Sequence, residues 1–384
     1  MTPETLARLT RLRHDLHQYP EISGQERETA ARIAELLRGH GADQVLTGLG
    51  GHGVAAVFDS GQAGPTVGVR CELDGLPIQE LSTRPYVSKI SGKGHLCGHD
   101  GHMTMVLGVA EELACQRPAK GRVVLIFQPA EETGQGAMAF RADPQFAQIA
   151  PDCVFSLHNL PGLALGEVEL CQGPANCASR GMKVVLTGKT SHAAAPQDGV
   201  SPAVALSELI PMLAGSGTGG ALDSDFALTT ITHASLGEPT FGVAPGRAEL
   251  WVTLRTVSDV RMKSLMAEAE TLVRQAASAD GLSVEITYDD VFEACVNHSE
   301  AVATIETACA EHGVPCKVTD SPQKFSEDFG QFGKGANTAM FWLGAGIDHP
   351  QLHNPDYDFP DALIPIGTGI FLSAIQRVLS DSTA

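Results

Sequence analysis

At 384 residues, 43% hydrophobic and 18% charged, the chain has apolar material for a large core and is long for one compact unit, so a main domain plus a smaller one is expected. A formal net charge of -19 argues against nucleic acid or an anionic membrane surface as a partner, since both would repel it. The opening reads as an amphipathic helix rather than a signal core, and no stretch approaches the roughly 18 consecutive apolar residues of a membrane span. Nine scattered cysteines fit reduced thiols, and a cytoplasmic location is expected.

Helical periodicity covers 3–18 and 25–38, and β-branched runs follow at 54–58 and 66–69. A helix over 101–115 leads into the apolar run 123–127, and 153–157 reads as another buried strand. This alternation is that of an α/β domain with a mostly parallel central sheet flanked by helices. Between about 180 and 288 the pattern becomes β-α-β-β-α-β: MKVVLTG, SPAVALSELIPML, FALTTITHA, RAELWVTLRT, VRMKSLMAEAETLVRQAAS and LSVEITY. That is the ferredoxin-like α+β order, in a segment long enough to fold alone. Helices at 300–312 and 365–379 around the buried run 338–343 return the chain to the first domain. The expected organisation is a discontinuous catalytic domain of 1–179 and 289–384 and an inserted domain of 180–288, with hinges near 178–181 and 288–292.

Metal-type residues gather in four places. GHLCGHDGH, 94–102, holds Cys97 and His99 two apart just before a helix, where side chains can converge on an ion; a thiolate can bridge two. Within it Asp100 is equally well read as a helix cap, and His95 and His102 as structural. FQPAEETGQGA, 127–137, runs from a buried strand into Glu131 and Glu132, adjacent carboxylates that repel unless something positive compensates them. A metal would do so, with one Glu as ligand and the other as general base, although most such pairs are solvated surface acids. His158 follows the strand in SLHNLPG, and His353 lies in the Pro- and Asp-rich LHNPDYDFPD; each alone is more often structural, but strand ends are where α/β sheets build sites. Asp74, in VRCELDGLP, is either a turn-former or a carboxylate orienting a metal-bound histidine. His192, in GKTSHAAAP, is either a surface loop residue or a stabiliser of charge on a substrate oxygen.

In order along almost the whole chain, HDLHQYPEISGQE (14–26), VRCELDGLP, GHLCGHDGH, FQPAEETGQGA, SHAAAP, SEDFGQF (326–332) and LHNPDYDF resemble the co-catalytic metallohydrolases related to aminoacylase and carboxypeptidase G. Their amidohydrolase branch, with hippurate hydrolase and the plant indole-acetyl-amino-acid hydrolases, is the nearest match. The resemblance implies two divalent cations per subunit, Mn or Zn first and Co or Ni next, with Cys97 shared between them. His99 and His158 would complete one site, Glu132 and His353 the other, and Glu131 would be the general base. It further implies a homodimer through the inserted lid and dimerisation domain, with His192 reaching a partner subunit's site. Many relatives carry Asp where this chain has Glu72, a change that leaves the metal ligands as they are and bears on the residues around them.

The expected activity is hydrolysis of the amide bond of a small N-acyl amino acid, N-acetyl, N-benzoyl or related, to a carboxylate and a free amino acid. Three alternatives stand beside it: a metal-dependent dipeptidase or aminopeptidase, a non-catalytic metal-binding protein, and a metal-free hydrolase using Cys97 as nucleophile with His99. The metal-binding protein leaves Glu131 without a purpose, and the thiol nucleophile leaves Glu132, His158 and His353 without one.

Overall fold

Runs such as Gly53–Asp59, Thr66–Glu72 and Arg122–Gln128 are buried along nearly their whole length, which only strands covered on both faces require. In the computed structural model, which describes residues 1–381, they lie inside an eight-stranded sheet. Its order is Gln44–Leu49, Gly53–Asp59, Arg122–Gln128, Thr66–Glu72, Cys153–Pro161, Asn337–Gly346, Val168–Cys171 and Cys316–Thr319. The pairings of Thr66–Glu72 with both neighbours, and of Cys153–Pro161 with Asn337–Gly346, are parallel. Antiparallel strands flank this parallel centre at Gly53–Asp59 and Val168–Cys171, so the α/β class holds.

The chain divides into two compact units. The first comprises Met1–Ala175, Cys295–Asp320 and the segment from Glu327 onward, and contains the large sheet. The second comprises Asn176–Ala294 together with Ser321–Ser326. The expected limits of 180 and 288 therefore fall inside this unit. The excursion at 321–326 has no signature in the sequence, because six residues are too few to show a period. The second unit is an antiparallel sheet in the order Ala227–Leu236, Arg247–Thr256, Ala178–Thr187, Ser283–Phe292. Helices Ala203–Gly215 and Asp259–Ala279 supply Leu206, Leu209, Leu265 and Val273 to a core shared with Val184, Leu250 and Val252 from the strands. With its β-α-β-β-α-β chain order, that strand arrangement is ferredoxin-like.

Two helices of the first unit differ in their limits from the sequence reading. The last, expected over 365–379, runs Leu363–Asp381; its 18-residue window Leu363–Ser380 has a mean hydropathy of 1.4, although polar residues interrupt it and no 18 consecutive residues are apolar. It is a core helix: 56% of the window is buried, and Leu363, Ile370, Phe371, Ala374 and Ile375 pack in the main core. The helix expected from 101 starts at His99, after Gly98 at φ 93°. A side chain at Gly98 would meet Asn159 Nδ2 at 2.4 Å, and one at Gly101 would meet the Phe359 ring at 2.3 Å, so the glycines of GHLCGHDGH let this helix sink into the core.

Candidate metal centre and active site

The ends of the parallel strands and the first turn of the His99–Cys115 helix meet at one point, the usual location of a site in an α/β sheet. Within the first unit the fold brings together Cys97, His99, Glu131, Glu132, His158 and His353. One ligand-type atom each of Cys97, His99 and His158 lie within 4.8 Å of one another, and so do those of Cys97, Glu132 and His353. Cys97 belongs to both triads. Its Sγ is 3.3 Å from His158 Nε2, and Glu132 Oε2 is 3.6 Å from His353 Nε2. His158 is not beyond its strand, as expected, but inside Cys153–Pro161, where its alternation points it to the triad.

Hydrogen bonds fix which ring nitrogens are free. His99 Nδ1–H donates to the Asp74 carbonyl at 2.8 Å and His158 Nδ1–H to the Asn159 carbonyl at 2.8 Å. In the neutral ring each Nε2 then has its lone pair facing the cluster; His158 is held neutral, whereas at His99 burial is outweighed by Asp74, Glu72 and Glu132, which raise it to about 10, so a cation must displace its proton. His99 Nε2 and Glu132 Oε1 are buried without a hydrogen-bond partner, which ordinarily costs about 1–3 kcal/mol each. Two sets of S, N and O donors converging on common points, the first buried and the second reaching the exposed His353, fit a pair of divalent cations.

Titration follows the same logic. Burial, then Glu132 and Glu131, push the Cys97 thiol well above its usual range, so a cation must displace its proton. Burial and His102 hold His158 well below 6.5, leaving it neutral and ready to ligate. For Glu131, burial acts first and the neighbouring Glu327, Glu132 and Asp328 add to it, raising its proton affinity well above that of an ordinary carboxyl against the pull of Arg70. Glu131 Oε2 lies 4.0 Å from His99 Nε2.

Asp74 lies just beyond Thr66–Glu72 and belongs to neither triad, but it is bonded to members of both. Its main-chain oxygen accepts from His99 Nδ1–H, Oδ1 is 3.5 Å from the same nitrogen, and Oδ2 accepts from Ser23 Oγ at 2.7 Å and from the Glu132 amide at 3.0 Å. Asp100 does not cap its helix: it accepts from Arg13 Nη1 at 3.1 Å and pairs with His17 Nδ1 at 2.9 Å. His102 is bound through Nδ1 to Glu72 at 2.7 Å, and its Nε2 accepts from the Asn159 amide at 3.2 Å; with Glu72 and His99 it forms a further buried group of ligand-type atoms within 4.8 Å of one another. Glu72 thus acts on the centre's surroundings through His102.

His192 is not part of this cluster; it lies in the second unit, exposed on the short strand Ser191–His192 paired with Val243–Ala244. The Ala194 amide donates to its Nδ1 at 3.0 Å, so the proton of the neutral ring sits on Nε2, which makes that nitrogen a donor. Sequence reasoning passed over Arg70, Asn159, Glu26 and the Glu327–Asp328 pair. Arg70 lies on a buried strand, and a cation in such a run would have been the signal.

A parallel-centred α/β unit whose strand ends hold two ligand triads about a shared cysteine, with a further carboxylate alongside, defines a metallohydrolase site. The chain belongs to peptidase family M20/M25/M40, whose family model matches residues 68–377, and it is a hydrolase of amide bonds. It is 32% identical over 373 residues to the N-acetyl-L-cysteine deacetylase of Bacillus subtilis, covering 97% of this chain and 88% of that protein. With the hippurate hydrolase of Campylobacter jejuni it shares 30% identity over 92% of each chain. The crystal structure of a dinuclear metal-binding peptidase of the M20 family from Bacillus subtilis superimposes with a TM-score of 0.84 at 25% identity, over 99% of this chain and 100% of that one.

Proposed function

We propose that the protein hydrolyses N-acyl amino acids to a carboxylate and a free amino acid, using two divalent cations. The observation that carries this reading is the pair of triads that share Cys97 while Glu131, beside them, belongs to neither. His99 and His158 would hold one cation with Cys97, and Glu132 and His353 the other. The bound cations supply Lewis acidity to the attacking water and the scissile carbonyl. Glu131 takes a proton from that water and returns it to the amide nitrogen, so that the C–N bond breaks with a neutral amine leaving. His192, with its proton on Nε2, is suited to donate to the carbonyl oxygen as it gains charge. Relatives named as deacetylases of N-acetyl-cysteine and as hippurate hydrolase support a small acyl group on an amino acid as the substrate class.

Thiolate and imidazole ligands favour Zn, and the carboxylate admits Mn. We further propose a cytoplasmic homodimer in which the second unit supplies His192 to its partner's centre; the nine free cysteines suit a reducing compartment. The test is release of amino acid from a panel of N-acetyl, N-benzoyl and longer N-acyl amino acids by chelator-stripped enzyme restored with Mn, Zn, Co or Ni. Metal-restored hydrolysis is expected. Turnover of free dipeptides alone would replace this reading with a peptidase, and stoichiometric metal uptake without turnover would replace it with a binding protein.

A further inference from the structure

The SEDFGQF motif meets the centre at Glu131. One oxygen each of Glu131, Glu327 and Asp328 lie within 4.8 Å of one another, all buried. Three neighbouring carboxylates repel, and the compensating charge is Arg70, whose side chain is fully buried. Every nitrogen of the Arg70 fork is engaged: Nε donates to Gln128 Oε1 at 2.9 Å, Nη1 to Glu72, and Nη2 to both Glu327 Oε1 at 2.8 Å and Asp328 Oδ1 at 2.7 Å. Asp328 is pinned further, accepting from Gln128 Nε2 and from the Ala137 amide at 2.8 Å each. Glu131, by contrast, accepts no side-chain hydrogen bond among the described residues; its nearest ring nitrogen is His99 Nε2 at 4.0 Å.

A free buried carboxylate beside a buried guanidinium ordinarily collapses onto it. We propose that Glu327 is a positioning residue for Glu131: by occupying Arg70 Nη2 it denies Glu131 that partner and leaves the base turned toward the ligand triads. Asp328, held from three sides, is the fixed half of the same clamp, and Glu327, on one Arg70 bond and its own local turn to the Phe329 amide, is the half whose loss opens the fork.

The inference rests on Glu131 being the base, so Glu131→Gln is measured in parallel. Loss of turnover there upholds the base and leaves Glu327 to be judged alone; survival there removes both. Glu327→Ala frees one of the two Nη2 bonds, the other staying with Asp328, and kcat is expected to fall about tenfold or more, as for a misplaced catalytic group, with KM within about twofold. Metal content, by atomic absorption, is expected to stay at the wild-type stoichiometry. Glu327→Gln keeps an oxygen for Nη2 and is expected to recover most of the lost kcat, whereas Glu327→Asp, one methylene short, is not. The proposal is overturned if Glu327→Ala turns over within about threefold of wild type, if it loses metal in proportion to activity, or if Gln is as damaging as Ala. Should Glu327→Ala fail to fold, the contrast between Gln and Asp decides: Gln well above Asp upholds the clamp, and equal rates refute it.

Discussion

Glu131 and Glu132 are neighbours in sequence with opposite assignments, and the difference is one of direction. Glu132 is tied through its amide to Asp74 and faces His353, whereas Glu131 is buried among carboxylates that raise its proton affinity above that of an ordinary carboxyl. If Glu131 is the base, Glu131→Gln lowers kcat by about 10²–10⁴-fold and leaves two cations bound per chain. Steady-state kinetics with metal analysis on the same sample checks this. Near-normal turnover, or loss of a metal with the activity, would reassign the residue. Cys97, His99 and the two glutamates were legible because their chemical types are costly to cluster without an ion. The ring tautomers were not, since Asp74 and Asn159 act through main-chain carbonyls that carry no sequence identity.

Two elements brace the centre from the N-terminal motif HDLHQYPEISGQE. The turn that presents Glu131 begins at Ala130 with φ 50°, a left-handed conformation that costs an alanine about 1–2 kcal/mol. Buried Glu26 holds it there, accepting from the Ala130 and Gly24 amides at 2.8 Å each. Glu26→Ala should therefore cost about 1–3 kcal/mol of stability, by chemical denaturation, with Glu26→Gln costing less because it keeps an acceptor. Equal losses for both would show that the amide contacts carry nothing.

The first helix contributes Arg13 and His17 to Asp100, beside His99. Burial alone would lower His17, but Asp100 and Glu80 outweigh it and raise it from 6.5 to about 9. Because the folded value is the higher one, this pairing stabilises fully below about pH 6.5 and is lost as pH rises through about 9. The Tm difference between wild type and His17→Gln, both metal-free, should shrink across that window. A difference that is constant or grows with pH would contradict the pairing. The helix itself was legible from its apolar period; the network was not, because it joins Arg13 and His17 to residues as far as 345 positions away in the chain.

For the whole molecule, the unpartnered atoms of the triads mean that cations bind the folded chain far better than the unfolded one, so metal should raise Tm by mass action. Calorimetry of the chelator-stripped protein is expected to show a rise saturating at two equivalents, smaller at low pH where protons compete for Cys97 and the histidines. Saturation at one equivalent would mean that the triads do not act as two sites. The same balance of scales separates what was readable. Sequence by itself determined the α/β class, the ferredoxin-like order of the second unit and the ligand types, because periodicity and residue chemistry are local. Only the tertiary structure decided that His158 points inward from within its strand, that 321–326 joins the second unit, and that Arg70 is engaged by Glu72, Glu327 and Asp328. Those facts depend on contacts between segments up to 258 residues apart, which no local pattern encodes.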